Sequence, residues 1–213
     1  MLEGDGFFMA KRLKRQGLKR WELALLLAVA AAGLVGARLG TEQDALADEM
    51  IRLHVVANSD SEADQALKLK VRDAVLTRCG IYLAGLDREE AVDVLAQSLP
   101  QLGQVAADTV AREGYAYPVR LSLRQESFPT RDYTDFSLPA GEYTALRIEL
   151  GEAAGHNWWC VVFPPLCTGS VTQAAQQTSL TDDQVALITG ETEGYVVKFK
   201  AIELWEDIKA SLS

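Results

Sequence analysis

IRLHVVANSDSEADQALKLKVRDAVL, residues 51–76, reads as strand, turn and helix in one pass, and the rest of the chain is arranged around it. Ile51, Leu53, Val55, Val56 and Ala57 make a nearly continuous apolar run. Such a run predicts a strand with a central place in a sheet, because both of its faces need cover. Asn58, Ser59 and Asp60 then form a turn. Ser61, with Asp64 three residues on, has the spacing of a capping box. Leu67, Val71, Ala74 and Val75 share one face of the next helix, which is expected to run to about Cys79 and to break at Gly80.

Moving toward the C-terminus, residues 89–113 keep a helical period through Val92, Leu95, Leu99, Leu102, Ala106 and Val110. Pro100 inside this stretch predicts a kink or a split, and Gly114 an end. Residues 119–125 alternate as a strand, as do 143–150. Residues 158–163 read as a buried strand, hairpinned to 143–150 through the turn at 151–155. Residues 169–194 are polar, with one short helix near 181–188 opened by Thr181 and Gln184. A last strand at 195–200 precedes a terminal helix carrying Ile202, Trp205, Ile208 and Leu212, expected to pack on the sheet. The order predicts a single α+β domain, a mixed sheet of about five strands with helices packed on it, behind an N-terminal signal or anchor helix.

That N-terminal segment is distinct in chemistry. Six Lys or Arg residues lie between Lys11 and Arg20, and residues 23–37 are 15 apolar residues without a charge. A basic cluster held in the cytosol ahead of an apolar run directs the downstream chain to the other side of a membrane. The run is short for a span, which takes roughly 20 residues. Small residues at Val35-Gly36-Ala37 and at Ala45-Leu46-Ala47 fit a processing peptidase. Cleavage and retention as an anchor are both open, and both place the remainder outside the cytoplasm. The organisation expected is a leader with signal peptide or anchor over residues 1–37, a linker over 38–47, and an extracytoplasmic domain over 48–213.

Beyond residue 37 there are 15 basic against 27 acidic side chains, a net of −12. This charge argues against nucleic acid and against anionic lipid as partners. Cys160 and Cys167 flank Pro164-Pro165 and are candidates for a disulfide in an oxidising compartment, leaving Cys79 as a buried thiol on a helix face. No cofactor and no metal site are expected, since the cysteines lack paired spacing and only His54 and His156 could join them. No nucleotide, hydrolase or metalloprotease motif is present, and no small-molecule substrate is expected.

Three groups of residues are candidates for chemistry or contact. His54, Asn58 and Asp60 gather at a strand end, where ligand sites often lie, though Asn58 and Asp60 also serve simply to shape a turn. Asp132 and Asp135 could pair as carboxylates, but their segment reads as a solvated loop. Trp158 and Trp159 are adjacent on a strand and so face opposite ways. One can sit in the core; the other must reach a second layer, solvent or a partner. Asn58, Asp60, Trp158 and Trp159 are therefore the candidate partner-binding residues.

The opening block at residues 51–76 resembles that of the stage II sporulation protein R family. So does LPAGEYTALRIELGEAAGHNWWCVVFPPLC at residues 138–167, and the basic leader and single apolar segment fit the same layout. One departure is Ala153, in the turn where many members carry glycine. The resemblance implies a signalling protein of endospore-forming bacteria, exported from the forespore into the space between forespore and mother cell. There it would activate a membrane-embedded aspartic protease, which removes the pro-sequence from the precursor of the mother-cell sigma factor E. A non-enzymatic role is the expectation. Two other classes stay open: an extracytoplasmic hydrolase using His54 with Asp60, and a structural module held at a membrane by its N-terminal segment.

Overall fold

Ile51–Val56 forms β1, and every residue in it is buried. The computed structural model describes residues 19–133, 136–166 and 181–189. The further strands are β2 (Val119–Phe128), β3 (Arg131–Asp132), β4 (Ser137–Leu138), β5 (Gly141–Leu150) and β6 (Asn157–Phe163). β3 and β4 pair only with each other, and the main sheet has the order β2-β5-β1-β6. β1 runs parallel to β5 and antiparallel to β6, so the sheet is mixed.

This order corrects the expected hairpin. β5 and β6 are consecutive strands, yet β1 lies between them. The reason is burial: all six residues of β1 are buried, Ile51, Leu53 and Val55 in the helix-side core and Arg52 and His54 on the other face, so β1 takes a neighbour on each edge and a layer on each face. The turn joining β5 to β6 must then cross the end of β1, which brings it against the turn that leaves β1 for the first sheet-covering helix.

The helices are α1 (Arg20–Asp48), α2 (Glu62–Tyr82), α3 (Arg88–Arg112) and α4 (Asp182–Thr189). Ser61 caps α2 by accepting from the Asp64 amide. Asp87 and Glu90 form a full capping box on α3. Gly80 does not end α2. It lies within the helix with open space where a side chain would stand, so the helix absorbs its cost of about 1 kcal/mol. Nor does Pro100 split α3. Its ring is on the exposed side, while Leu95, Leu102 and Ala106 hold both halves of the helix against the sheet. Pro100→Ala should therefore restore a missing hydrogen bond and raise stability by about 1–2 kcal/mol, read as a higher Tm in thermal unfolding.

α2 and α3 cover one face of the sheet. Ile51, Leu53, Val55, Leu146, Ile148, Cys160 and Val162 meet Leu67, Val71, Val75, Leu95 and Leu102 there. The opposite face carries a second core, in which Phe128, Tyr143, Ala145 and Val161 meet Leu46, Ala47 and Met50, Phe136 and Leu138, and Ile188 of α4. The stretch 38–47 is thus not a linker: it belongs to α1, and Leu46 and Ala47 are core residues. Earlier on α1, Trp21, Leu23, Leu25, Leu26, Leu27 and Leu34 are exposed. Among the described residues no helix is long and apolar enough to cross a membrane. Six strands are described where about five were expected; the strand expected at 195–200 and the terminal helix lie outside the described residues.

Candidate functional site

The β1–α2 turn and the β5–β6 turn are locked together by the residues singled out from the sequence. Asn58 accepts the Glu152 amide on Oδ1 (3.0 Å) and donates from Nδ2 to Asp64 (2.9 Å). Its carbonyl accepts from Ala154, and that of Ala57 accepts from Gly155. Asp60 accepts the His156 amide at 2.5 Å, and the His156 Nδ1 lies at the same distance. Asn58 and Asp60 thus hold two loops in register. Asp60 and His54 are not brought together as a catalytic pair, since Asp60 is taken by His156.

Asp64 is the polar centre of this latch. It is buried and takes hydrogen bonds from Ser59 (2.5 Å) and Asn58. Burial pushes its pKa up, but the bonds from Ser59, Asn58, Tyr117 and Ser61 together outweigh that and hold it below the usual carboxylate value. A depressed folded pKa contributes stability that is complete above the unfolded pKa, about 3.9, and is lost as pH falls through the folded value. Asp64→Asn should accordingly flatten the loss of stability below about pH 4, measured as Tm against pH. Lys68 lies beneath the same loops, donating to Gln65 Oε1 (2.6 Å) and the His156 carbonyl (2.9 Å). Burial lowers its pKa, with Asp60 acting in the other direction.

Ala153 has φ = 53°, in the left-handed region that favours glycine. Ala153→Gly should relieve the strain and stabilise the chain by about 0.5–1 kcal/mol, after the entropy of a freer unfolded chain is subtracted. Chemical denaturation would read this out.

Trp158 and Trp159 do face opposite ways. Trp158 is 37% exposed on the helix side, with the Arg72 guanidinium 4.3 Å above its ring. Trp159 is half-buried on the other side, stacked on His54 (5.6 Å) and covered by Arg131 (3.8 Å). His54 is itself buried. Its Nδ1 meets Glu126 Oε1 at 2.7 Å and Arg147 Nη1 at 2.9 Å, and its Nε2 meets Asn157 Oδ1 at 2.7 Å. Both ring nitrogens are therefore occupied by carboxylate, guanidinium and amide groups, with no hydroxyl or thiol bonded to the ring among the described residues.

Arginines dominate this side of the sheet, a feature the sequence reading did not include. Arg52 is fully buried on β1, and Arg120, Arg124 and Arg147 stand on β2 and β5 with Glu126 and Glu149 among them. The available signal was Arg52, a charge in the middle of an apolar strand. The Arg131–Asp132 segment, expected as a solvated loop, is instead β3, and Asp132 accepts from Ser137 at 2.6 Å. Asp135 lies outside the described residues.

Cys79 is a buried free thiol, its pKa pushed up to about 12 by burial. Cys160 is disulfide-bonded, and Cys167 lies outside the described residues.

Comparison with known proteins gives one curated relative and a family. No solved structure matches the chain significantly. The chain is 39% identical over 148 residues to Stage II sporulation protein R of Bacillus subtilis (strain 168). That alignment covers 67% of this chain and 66% of the relative, just under two thirds of its length. The profile of the family described as Stage II sporulation protein R matches residues 47–173, which takes in β1 to β6, both turns of the latch and the tryptophan pair. On that match, over more than half of its length, the chain belongs to the stage II sporulation protein R family.

Proposed function

We propose that this protein is the intercompartmental signal that its family membership implies. It is exported from the forespore into the space between forespore and mother cell. There it binds the extracytoplasmic side of a membrane-embedded aspartic protease and shifts that protease toward its active form. The protease then removes the pro-sequence from the precursor of the mother-cell sigma factor E.

The observation that carries this reading is the family match over residues 47–173. Three features support it. The basic cluster and the exposed apolar leucines of α1 suit an export segment, cleaved or retained. The acidic surface suits a protein that neither coats nucleic acid nor clings to anionic lipid. Among the described residues His54, the histidine of β1, has no hydroxyl or thiol bonded to it for it to activate, which favours a ligand over a hydrolase. A ligand of this kind acts only by binding the active form of its receptor more tightly than the inactive form. Trp158 and Trp159 are contact candidates, and Asn58 and Asp60 support them by fixing the loops. A Cys160–Cys167 disulfide fits the oxidising side of the membrane.

The test is co-expression of this chain, the protease and the sigma-factor precursor in a non-sporulating host, with precursor size followed by immunoblot. Cleavage that requires this chain is the expected result. Unprocessed precursor, with all three proteins present and this one folded and exported, would remove the proposal.

A further inference from the structure

β2 is an edge strand of the main sheet. Among the described residues it pairs with β5 alone, along its whole length and without a shift of register. It contains no proline. The Pro118 carbonyl accepts the Gly151 amide at 2.9 Å, so Pro118 and Gly151 face each other as a hydrogen-bonded pair. Bonded and non-bonded residues alternate along an antiparallel strand. The backbones of Arg120, Ser122, Arg124, Glu126 and Phe128 therefore turn to β5, and those of Val119, Leu121, Leu123, Gln125 and Ser127 present N–H and C=O outward. Val119, Leu121 and Leu123 are also half-buried apolar side chains at the rim of the helix-side core.

A regular edge of this length, about 34 Å, is a template for another strand, and proteins commonly blunt such edges with proline, a bulge or charge. β2 has charges, but their order is self-complementary. Arg120, Ser122, Arg124 and Glu126 alternate onto one face. When two copies pair antiparallel, outward backbone groups must meet outward groups, so the twofold axis passes through a residue and not between residues. An axis at Leu123 sets Arg120 opposite Glu126 of the second copy and Ser122 opposite Arg124, and pairs the strand from Val119 to Ser127. An axis at Ser122 sets Arg120 against Arg124, and an axis at Arg124 sets that residue against itself; like charges directly opposite are destabilising. An axis at Gln125 matches Arg124 with Glu126 but leaves Val119 and Leu121 uncovered. Arg120 is more than half exposed and meets Glu149 on β5 at 3.2 Å, so Glu126 of the second copy stands on its other side.

We propose that β2 is a self-association edge: two copies of this chain join β2 to β2, antiparallel about a twofold axis at Leu123, into one continuous sheet. The half-buried Val119, Leu121 and Leu123 of each copy gain cover, and the outward N–H and C=O groups gain partners. A second copy is favoured over a different protein because the charge pattern of the strand matches itself. β6, with the tryptophan pair, lies at the other end of the strand order, so the dimer presents two copies of the candidate contact surface. The inference goes beyond the receptor reading and does not depend on it.

The deciding test mixes two variants of the full chain in detergent, Val119→Cys and Ser127→Cys, under mild oxidation. At the proposed register residue 119 faces residue 127 of the second copy at a Cα separation of about 5.5 Å, within disulfide reach. Each residue lies roughly 27 Å along the strand from its own equivalent. The mixture is expected to give a disulfide-linked dimer on a non-reducing gel, and neither variant alone. The unsubstituted chain, oxidised alongside, gives the background from Cys79. Sedimentation of the full chain over a dilution series is expected to show a monomer–dimer equilibrium. Leu123→Lys, which places two like charges on the axis, is expected to weaken that dimer about tenfold with circular dichroism unchanged. A monomer at every concentration, no mixed dimer above background, or a linked dimer that either cysteine variant forms alone overturns the proposal. So does a dimer undiminished by folded Leu123→Lys, which would belong to another surface. If Leu123→Lys does not fold, the cysteine mixture decides alone. A failure of precursor cleavage would count against the receptor reading and leave the dimer standing.

Discussion

Gly155→Ala is expected to lower stability by about 3 kcal/mol, which for a domain of this size is a Tm drop of roughly 10 °C. A side-chain carbon at Gly155 would collide with the backbone carbonyl of Ser59, and backbone, unlike a side-chain tip, cannot swing away. Gly155 must come this close because its own amide bonds the Ala57 carbonyl at 3.0 Å. Moving it lifts the whole β5–β6 turn. The Ala154 and Glu152 bonds to Asn58 go, as do the His156 bonds to Asp60 and the Lys68 bond to the His156 carbonyl. Lys68 is then left buried with less to donate to, which adds to the cost. Gly151→Ala should be milder although its φ is +58°, because its clash is with the Asn58 side chain, which can rotate at the expense of its own bonds. Gly103→Ala is the control. It lies in α3 with open space around it, and should gain up to about 1 kcal/mol. Thermal unfolding of the three variants side by side measures the latch directly.

Deleting residues 1–37 should abolish signalling while leaving the fold intact. The described core draws on α1 only from Leu46 onward, so this truncation keeps Leu46, Ala47 and Met50 in place. What it removes is the basic cluster and the whole apolar run at 23–37, the parts proposed to direct export. The shortened chain should fold in the cytoplasm and produce no precursor cleavage. A foreign signal peptide fused ahead of residue 38 should restore cleavage in full. Deleting residues 1–49 is the contrasting case. It also removes Leu46, whose burial is complete, and should cost about 3–5 kcal/mol in addition to export. A foreign signal peptide should not rescue that chain to the same degree. Immunoblots of precursor, together with circular dichroism of each truncation, separate the two effects.

The elements of the fold are largely legible in the sequence because their signals are local. A buried strand, two capped helices and the alternating strands each come from spacing within roughly 10 to 25 residues. Strand order is not legible, because it depends on which strand gains most from central burial. Nothing in residues 143–163 says that residues 51–56 will lie between the two strands there. The expectation for Pro100 fails for a related reason: the rule on interior proline is local, whereas packing of both helix halves on the sheet is not. The site divides in the same way. The opposite facing of Trp158 and Trp159 comes from strand geometry, and Asn58 and Asp60 are visible as turn formers. That they hold a second turn, far along the chain, is not visible, and neither is the convergence of Arg52 and Arg131 on Tyr133 from separate segments.

The most direct measurement is to add the purified full chain from outside to protoplasts of a non-sporulating host that make the protease and the sigma-factor precursor, and to track precursor size over minutes. An extracytoplasmic signal should cause precursor to shorten inside the cell, with no effect on protoplasts lacking the protease. Precursor that stays full length, with the folded chain bound to the protoplast surface and the protease present, would contradict the claim that this protein acts from outside as an activating ligand.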